Sequence, residues 1–105
     1  MEYEIVWTEP AGLQLEDIRD YISVDNPAAA IRIVNKIIAR VEQLKSTPRL
    51  GRVYRKGGEH SVRQIVSGKY RIFFRIIEKA KRVEILLVWH GARREPDLGK
   101  ITDEP

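Results

Sequence analysis

The sequence predicts an α+β fold, with an N-terminal strand and an antiparallel helical hairpin packed on one face of a mainly antiparallel sheet. Two observations carry this. The hydrophobic period is 2 at the N-terminus, lengthens to that of a helix between Thr8 and Leu44, and returns to 2 after Gly51. The strands of the second half follow one another across short turns, which joins neighbours antiparallel. The 105 residues fit one domain, 1–105, with 95–105 expected as a frayed tail.

In the first strand, Met1–Trp7, Tyr3, Ile5 and Trp7 alternate with Glu2, Glu4 and Val6, so one face is buried. Thr8-Glu9-Pro10 supplies a capping oxygen and a proline in the first turn of a helix. Ala11, Leu15, Ile18 and Ile22 form its apolar stripe. Asp25-Asn26-Pro27 breaks that helix and starts another, with Asn26 as the cap. Ala30, Val34, Ile37, Val41 and Leu44 face the core, and Ile31 and Ile38 are expected to widen the stripe. Ser46-Thr47-Pro48 ends the hairpin. Residues 52–60 form an edge strand or a loop. Ser61–Ser67, a Gly68-Lys69 turn and Tyr70–Ile77 make a β-hairpin, and Val83–His90 is the last strand after a turn over Glu78–Arg82.

Charge is segregated. Residues 1–43 hold four Lys/Arg against eight Asp/Glu, whereas residues 44–100 hold fifteen against five. A basic C-terminal half implies an anionic partner, either nucleic acid or an acidic protein segment. With no cysteine, disulfides, thiolate chemistry and cysteine-bound metals are excluded, and a reducing cytoplasm fits. No apolar run reaches the roughly 20 residues that span a bilayer, and MEYEIVW lacks the layout of a signal peptide, so no membrane partner is expected. Two histidines without cysteine argue against a zinc site, and Gly57-Gly58 and Gly68 lack phosphate-loop spacing. No cofactor or metal is expected.

The candidate site comes from strand alternation. Tyr70, Ile72, Phe74 and Ile76 belong under the helices, leaving Arg71, Phe73 and Arg75 on an open sheet face. A four-residue loop, Lys79–Arg82, pairs Ile72 with Trp89 and Phe74 with Leu87 and sets Arg71 opposite His90. That register gathers Arg71, Arg75, His90 and Arg63, with Arg93 and Arg94 beyond the strand and Phe73 and Val88 among them. Arginines bind phosphate and rings stack on bases, so the patch suits RNA; an acidic or helical protein segment is the other occupant. The carboxylates Glu16, Asp17 and Asp20 are expected on a solvated helix face.

The ordered motifs DNPAAA, STPRLGR, VRQIVSGKYRIFFRI and VEILLVWHGARR resemble the RelE/ParE superfamily, the toxins of bacterial type II toxin–antitoxin, or plasmid-stabilisation, modules. The resemblance covers residues 3–94. It implies a growth-arresting cytoplasmic toxin silenced by a cognate antitoxin, through which alone it would reach operator DNA. Two activities follow from it. RelE-like members are metal-independent endonucleases that cut mRNA on the ribosome. The resemblance then gives Arg71 and Arg93 to the phosphate and matches Arg63 to a basic catalytic position on the preceding strand, with His90 for proton transfer and Arg75, Arg94 and Phe73 as binding residues. ParE-like members bind DNA gyrase, and the same arginines would only bind. The superfamily's second basic position falls on Ser61, and nothing after Tyr70 is a tyrosine, departures that lean towards the ParE-like activity. A binding module that has lost toxicity is the third possibility, and whether the chain is an enzyme stays open.

Overall fold

The computed structural model of the chain describes residues 2–56 and 60–91. Strand β1 (Glu4–Trp7) leads into helices α1 (Glu9–Ser23) and α2 (Pro27–Glu42). Two short 3₁₀ turns follow, then strands β2 (Arg52–Arg55), β3 (Val62–Ser67), β4 (Tyr70–Ile77) and β5 (Arg82–His90). The sheet order is β1-β5-β4-β3-β2, antiparallel except for the parallel pair β1–β5. The crossover through the helical hairpin makes that pair parallel and lays both helices on one face.

Local chemistry sets the boundaries. Asn26 caps α2, its side chain accepting from Ala29 N–H at 3.0 Å, with Pro27 in the first turn. Gly68 adopts φ 57° in the β3–β4 turn, a conformation that costs glycine little. Gly51 answers to space instead. A Cβ there would lie 2.7 Å from both the Gln64 carbonyl oxygen and the Phe74 ring.

The main core lies between helices and sheet. Ala11, Ile37, Val41 and Leu44 meet Ile65, Ile72, Phe74, Val83, Ile85 and Val88, with Tyr3, Ile5, Trp7, Leu15 and Ile18 at its edge. Ile33 packs there too, whereas Ile31 and Ile38 are 62% and 39% exposed, so α2 widens its stripe on the other side from that expected. Thr8 precedes α1 without capping it. Its hydroxyl donates to the Ile85 carbonyl at 2.7 Å, tying the helix start to β5.

The largest departure from expectation is in β5. Near the turn the pairs are Ile77–Arg82, Ile76–Val83, Arg75–Glu84 and Phe74–Ile85, so the loop is 78–81. These keep the expected faces. Beyond them the register slips by one, giving Phe73–Leu87, Ile72–Val88, Arg71–Trp89 and Tyr70–His90. Leu86 is the extra residue of a β-bulge, and one extra residue inverts the face of everything after it. Val88 therefore points to the helices, and Leu87 and Trp89 point away. The start of α1 holds the bulge from the side: Thr8 bonds Ile85, and Gln14 Oε1 accepts from Val88 N–H at 2.8 Å.

The helix-free face is not the open polar surface expected. Val62, Phe73, Leu86 and Leu87 form a second apolar cluster there, none more than 2% exposed, with Tyr54 and Trp89 packed against it.

At the rim of the main core, Glu78 ties three segments. Its carboxylate accepts from Tyr3 OH at 2.7 Å, pairs with Arg49 at 2.7 Å and receives Lys81 Nζ at 3.4 Å. Hydrogen bonds from Tyr3 and Arg49 hold its pKa down at about 2.

Candidate functional site

Arg71 is the centre of the helix-free face. It lies on β4 beside Phe73, which is fully buried and forms the floor under the guanidinium, 4.9 Å from guanidinium carbon to ring centroid. Tyr54, brought from β2, places its ring 5.3 Å from the same carbon and meets Phe73 edge to face at 4.9 Å. Gln64 on β3 accepts from Arg71 Nε at 3.0 Å. Trp89 is the cross-strand partner of Arg71 on β5. Four strands thus contribute to one platform of an arginine, an amide and three rings. An arginine over aromatic faces is attracted by their quadrupoles, and hydrogen bonding fixes its plane.

The other expected site residues disperse. Arg75 shares this face, but its Nε donates to Glu84 Oε1 at 2.7 Å, and Arg82 donates to the second oxygen at 3.0 Å. Burial pushes the Glu84 pKa up, but the Arg75 hydrogen bond and the charges of Arg75 and Arg82 outweigh it, so the group stays an anion below its ordinary range. Arg75 is therefore half of an ion pair. Arg63 pairs with Phe74, so it lies on the helix side, where it donates to the Gly51 carbonyl at 3.0 Å and fastens β3 to the turn before β2. Phe73 offers its face to Arg71, and its complete burial leaves no surface for a base. Arg93 and Arg94 lie outside the described residues.

His90 is not the cross-strand partner of Arg71, but the two line one open pocket of about 510 Å³ at the end of the sheet, with Val66, Lys69 and Gly91. Paired with Tyr70 and edge to face with its ring at 5.3 Å, His90 also lines a cleft of about 840 Å³ between the hairpin and the far end of the sheet. Asp17 and Tyr21 of α1, Lys36 of α2 and Lys69 of the β3–β4 turn border the same cleft, with Ile18, Ile22, Ile33 and Val88 as apolar lining. Asp17 thus borders a cavity, although its exposed position is that of the solvated face expected.

Sequence reasoning missed Tyr54, Gln64 and Trp89. Val53 and Tyr54 are two strand-forming residues, but nothing in that short stretch says which strand it joins. Trp89 was assigned to the core because the bulge was unseen. Among the described residues no group of three His, Asp or Glu could hold a metal ion, and no helix is long and apolar enough to cross a membrane.

A mixed five-stranded sheet with a helical hairpin on one face and an arginine platform on the other defines the class, which comparison with known proteins specifies further. Residues 5–95 match the family described as the ParE toxin of the type II toxin–antitoxin system, parDE. The candidate toxin Y4kP of Sinorhizobium fredii is 36% identical over 96 residues, covering 90% of this chain and 94% of Y4kP. The chain belongs to the ParE toxin family, within the RelE/ParE superfamily. Solved structures share its fold. The chromosomal ParDE system of P. aeruginosa superposes with a TM-score of 0.70 at 23% identity, covering 84% of this chain and 95% of that one. The RelBE2 toxin–antitoxin complex of Mycobacterium tuberculosis gives 0.65 at 23%, with 86% and 99% covered. The archaeal RelE–RelB complex of Pyrococcus horikoshii gives 0.67 at 16%, with 89% and 99% covered.

Proposed function

We propose that this toxin arrests growth in the cytoplasm by docking on DNA gyrase, with Arg71 and Trp89 as the centre of the docking surface. The observation that carries this is the surface around Arg71, where the rings of Tyr54 and Phe73 flank the guanidinium and Trp89 is its cross-strand partner. Cutting RNA through its own 2′-hydroxyl needs proton transfer beside the cations that hold the phosphate. His90, the imidazole expected for that role, is paired with Tyr70 and not with Arg71, though both border the pocket at the end of the sheet. What surrounds Arg71 is an aromatic platform, and arginine, tryptophan and tyrosine over a dry apolar floor are the residues that dominate protein–protein contacts.

A cognate antitoxin keeps the toxin silent, a reading supported by the RelBE2 toxin–antitoxin and RelE–RelB complexes that share the fold. The cleft suits one of its segments. Isoleucines and Val88 would receive an apolar helix face, and Lys36 and Lys69 would meet acidic residues on it. Charge reversal at Lys36 and Lys69 should weaken antitoxin binding and leave growth arrest in place.

The test is induced expression in bacteria with DNA and protein synthesis followed together. DNA synthesis should stop first while translation continues, and Arg71→Ala should abolish the arrest without unfolding the protein. Translation stopping first, with messages cut within codons, would establish the RelE-like endonuclease instead. Arrest of neither would leave a binding module without toxicity.

A further inference from the structure

We infer that Tyr54 and Gln64 are positioning residues that fix the guanidinium of Arg71 before its target arrives. The inference rests on the reading of Arg71 as the centre of the docking surface. A long side chain on a sheet face samples many rotamers, and ordering it on binding costs affinity. Here that freedom is removed in advance from three directions. Phe73 lies 4.9 Å beneath the guanidinium carbon, Tyr54 lies 5.3 Å from it, and Gln64 takes the Nε hydrogen at 3.0 Å. Stacking fixes the height of the guanidinium above the sheet, and the amide fixes its rotation within its plane.

These contacts come from different strands. Tyr54 stands on the edge strand β2, whose register shifts between Val53 and Arg55, and Gln64 stands on β3 opposite Phe73. Only the ring of Tyr54 enters the argument, so phenylalanine should serve there and an aliphatic residue should not. At Gln64 the amide oxygen is the acceptor, so leucine should release Nε and glutamate should keep it.

Two measurements on the purified chain test this. One is the NMR signal of the Arg71 Nε–H, assigned by its loss in Arg71→Ala. In the wild type it should be shifted by the flanking rings and protected from exchange. Tyr54→Leu and Gln64→Leu should each return it towards the free-arginine position, and Tyr54→Phe should restore it. The other is inhibition of purified gyrase supercoiling. Tyr54→Leu should weaken inhibition by about tenfold, the size expected for a desolvated cation–π contact. In an Arg71→Ala background the same change should add nothing, because the two act through one group.

An Arg71 signal unmoved by Tyr54→Leu and Gln64→Leu overturns the inference whatever the target. So does full inhibition by Tyr54→Leu when Arg71→Ala has lost it. Full inhibition by Arg71→Ala, or none by the wild type, overturns the gyrase reading instead, and the NMR result then decides whether Arg71 is fixed as inferred.

Discussion

Phe73 and Phe74 are neighbours on β4, both fully buried, and they lie in different cores. Phe74 fills the large cluster between helices and sheet, where two layers of side chains interlock. Phe73 fills the small cluster on the helix-free face, roofed in part by Tyr54 and the Arg71 guanidinium. The difference separates two uses of burial. The large cluster holds the fold. The small one supplies a dry floor on which a cation and its rings can be arranged, so losing it should damage the site as well as stability.

Alanine at each position breaks the comparison most directly. Phe74→Ala should cost about 4–5 kcal/mol, the upper end for a buried aromatic, because the surrounding layers cannot close on the cavity. Phe73→Ala should cost about 3 kcal/mol, since half-exposed neighbours can collapse inward. Chemical denaturation of the two variants measures both. Equal costs would mean that the small cluster is as rigid as the large one.

Gly51→Ala sharpens the account of the large core. Its methyl would stand 2.7 Å from a backbone oxygen and the Phe74 ring, so a loss of about 2–3 kcal/mol is expected, as in other overpacked sites. A loss below about 0.5 kcal/mol, the scatter of ordinary surface substitutions, would show that the turn gives way freely. Thr8→Val probes the boundary between the two faces. It removes the 2.7 Å bond to the Ile85 carbonyl beside the bulge and should cost about 1 kcal/mol. Hydrogen exchange at Val88 N–H, which Gln14 holds, should quicken in this variant, and unchanged exchange would show that Gln14 and the Thr8 N–H, which donates to the same carbonyl at 3.1 Å, pin the bulge without the hydroxyl.

The smallest effect belongs to Glu78 and appears only in acid. Its folded pKa of about 2 lies below the ordinary 4.5, so its stabilisation is complete above that ordinary value and is lost as pH falls from there through about 2. Glu78→Gln should melt lower than wild type at neutral pH, and the gap should close by about pH 2. Melting curves across that range check it, and a gap that persists at the acid end would assign the difference to lost packing.

Most of the fold was legible because it is written in local period. The ends of β4, the Asn26 cap, the Gly68 turn and the position of the helical hairpin all follow from patterns within a few residues of each other. The site was legible only in part. Arg71 was found by alternation along its own strand, which is local. The pairing of His90 with it failed because that needed a count across two strands, and Leu86 adds one residue to the count. Tyr54 was invisible for a related reason, since its partners Phe73 and Arg71 lie far along the chain on a strand it does not pair with directly.

The sequence by itself determined both helices and every strand but β2, that β4 turns Ile72 and Phe74 to the helices, and that the basic residues fall in the second half. Tertiary structure decided the rest: the inversion of β5 beyond the bulge, the commitment of Arg75 to Glu84 and of Arg63 to Gly51, and the assembly of Arg71 with Tyr54, Gln64 and Trp89. The physical reason is the range of the forces involved. Backbone preference and hydrophobic period act over one or two turns of chain. The choice between faces after a bulge is made by whole-sheet packing, with α1 holding Ile85 and Val88 from outside the strand.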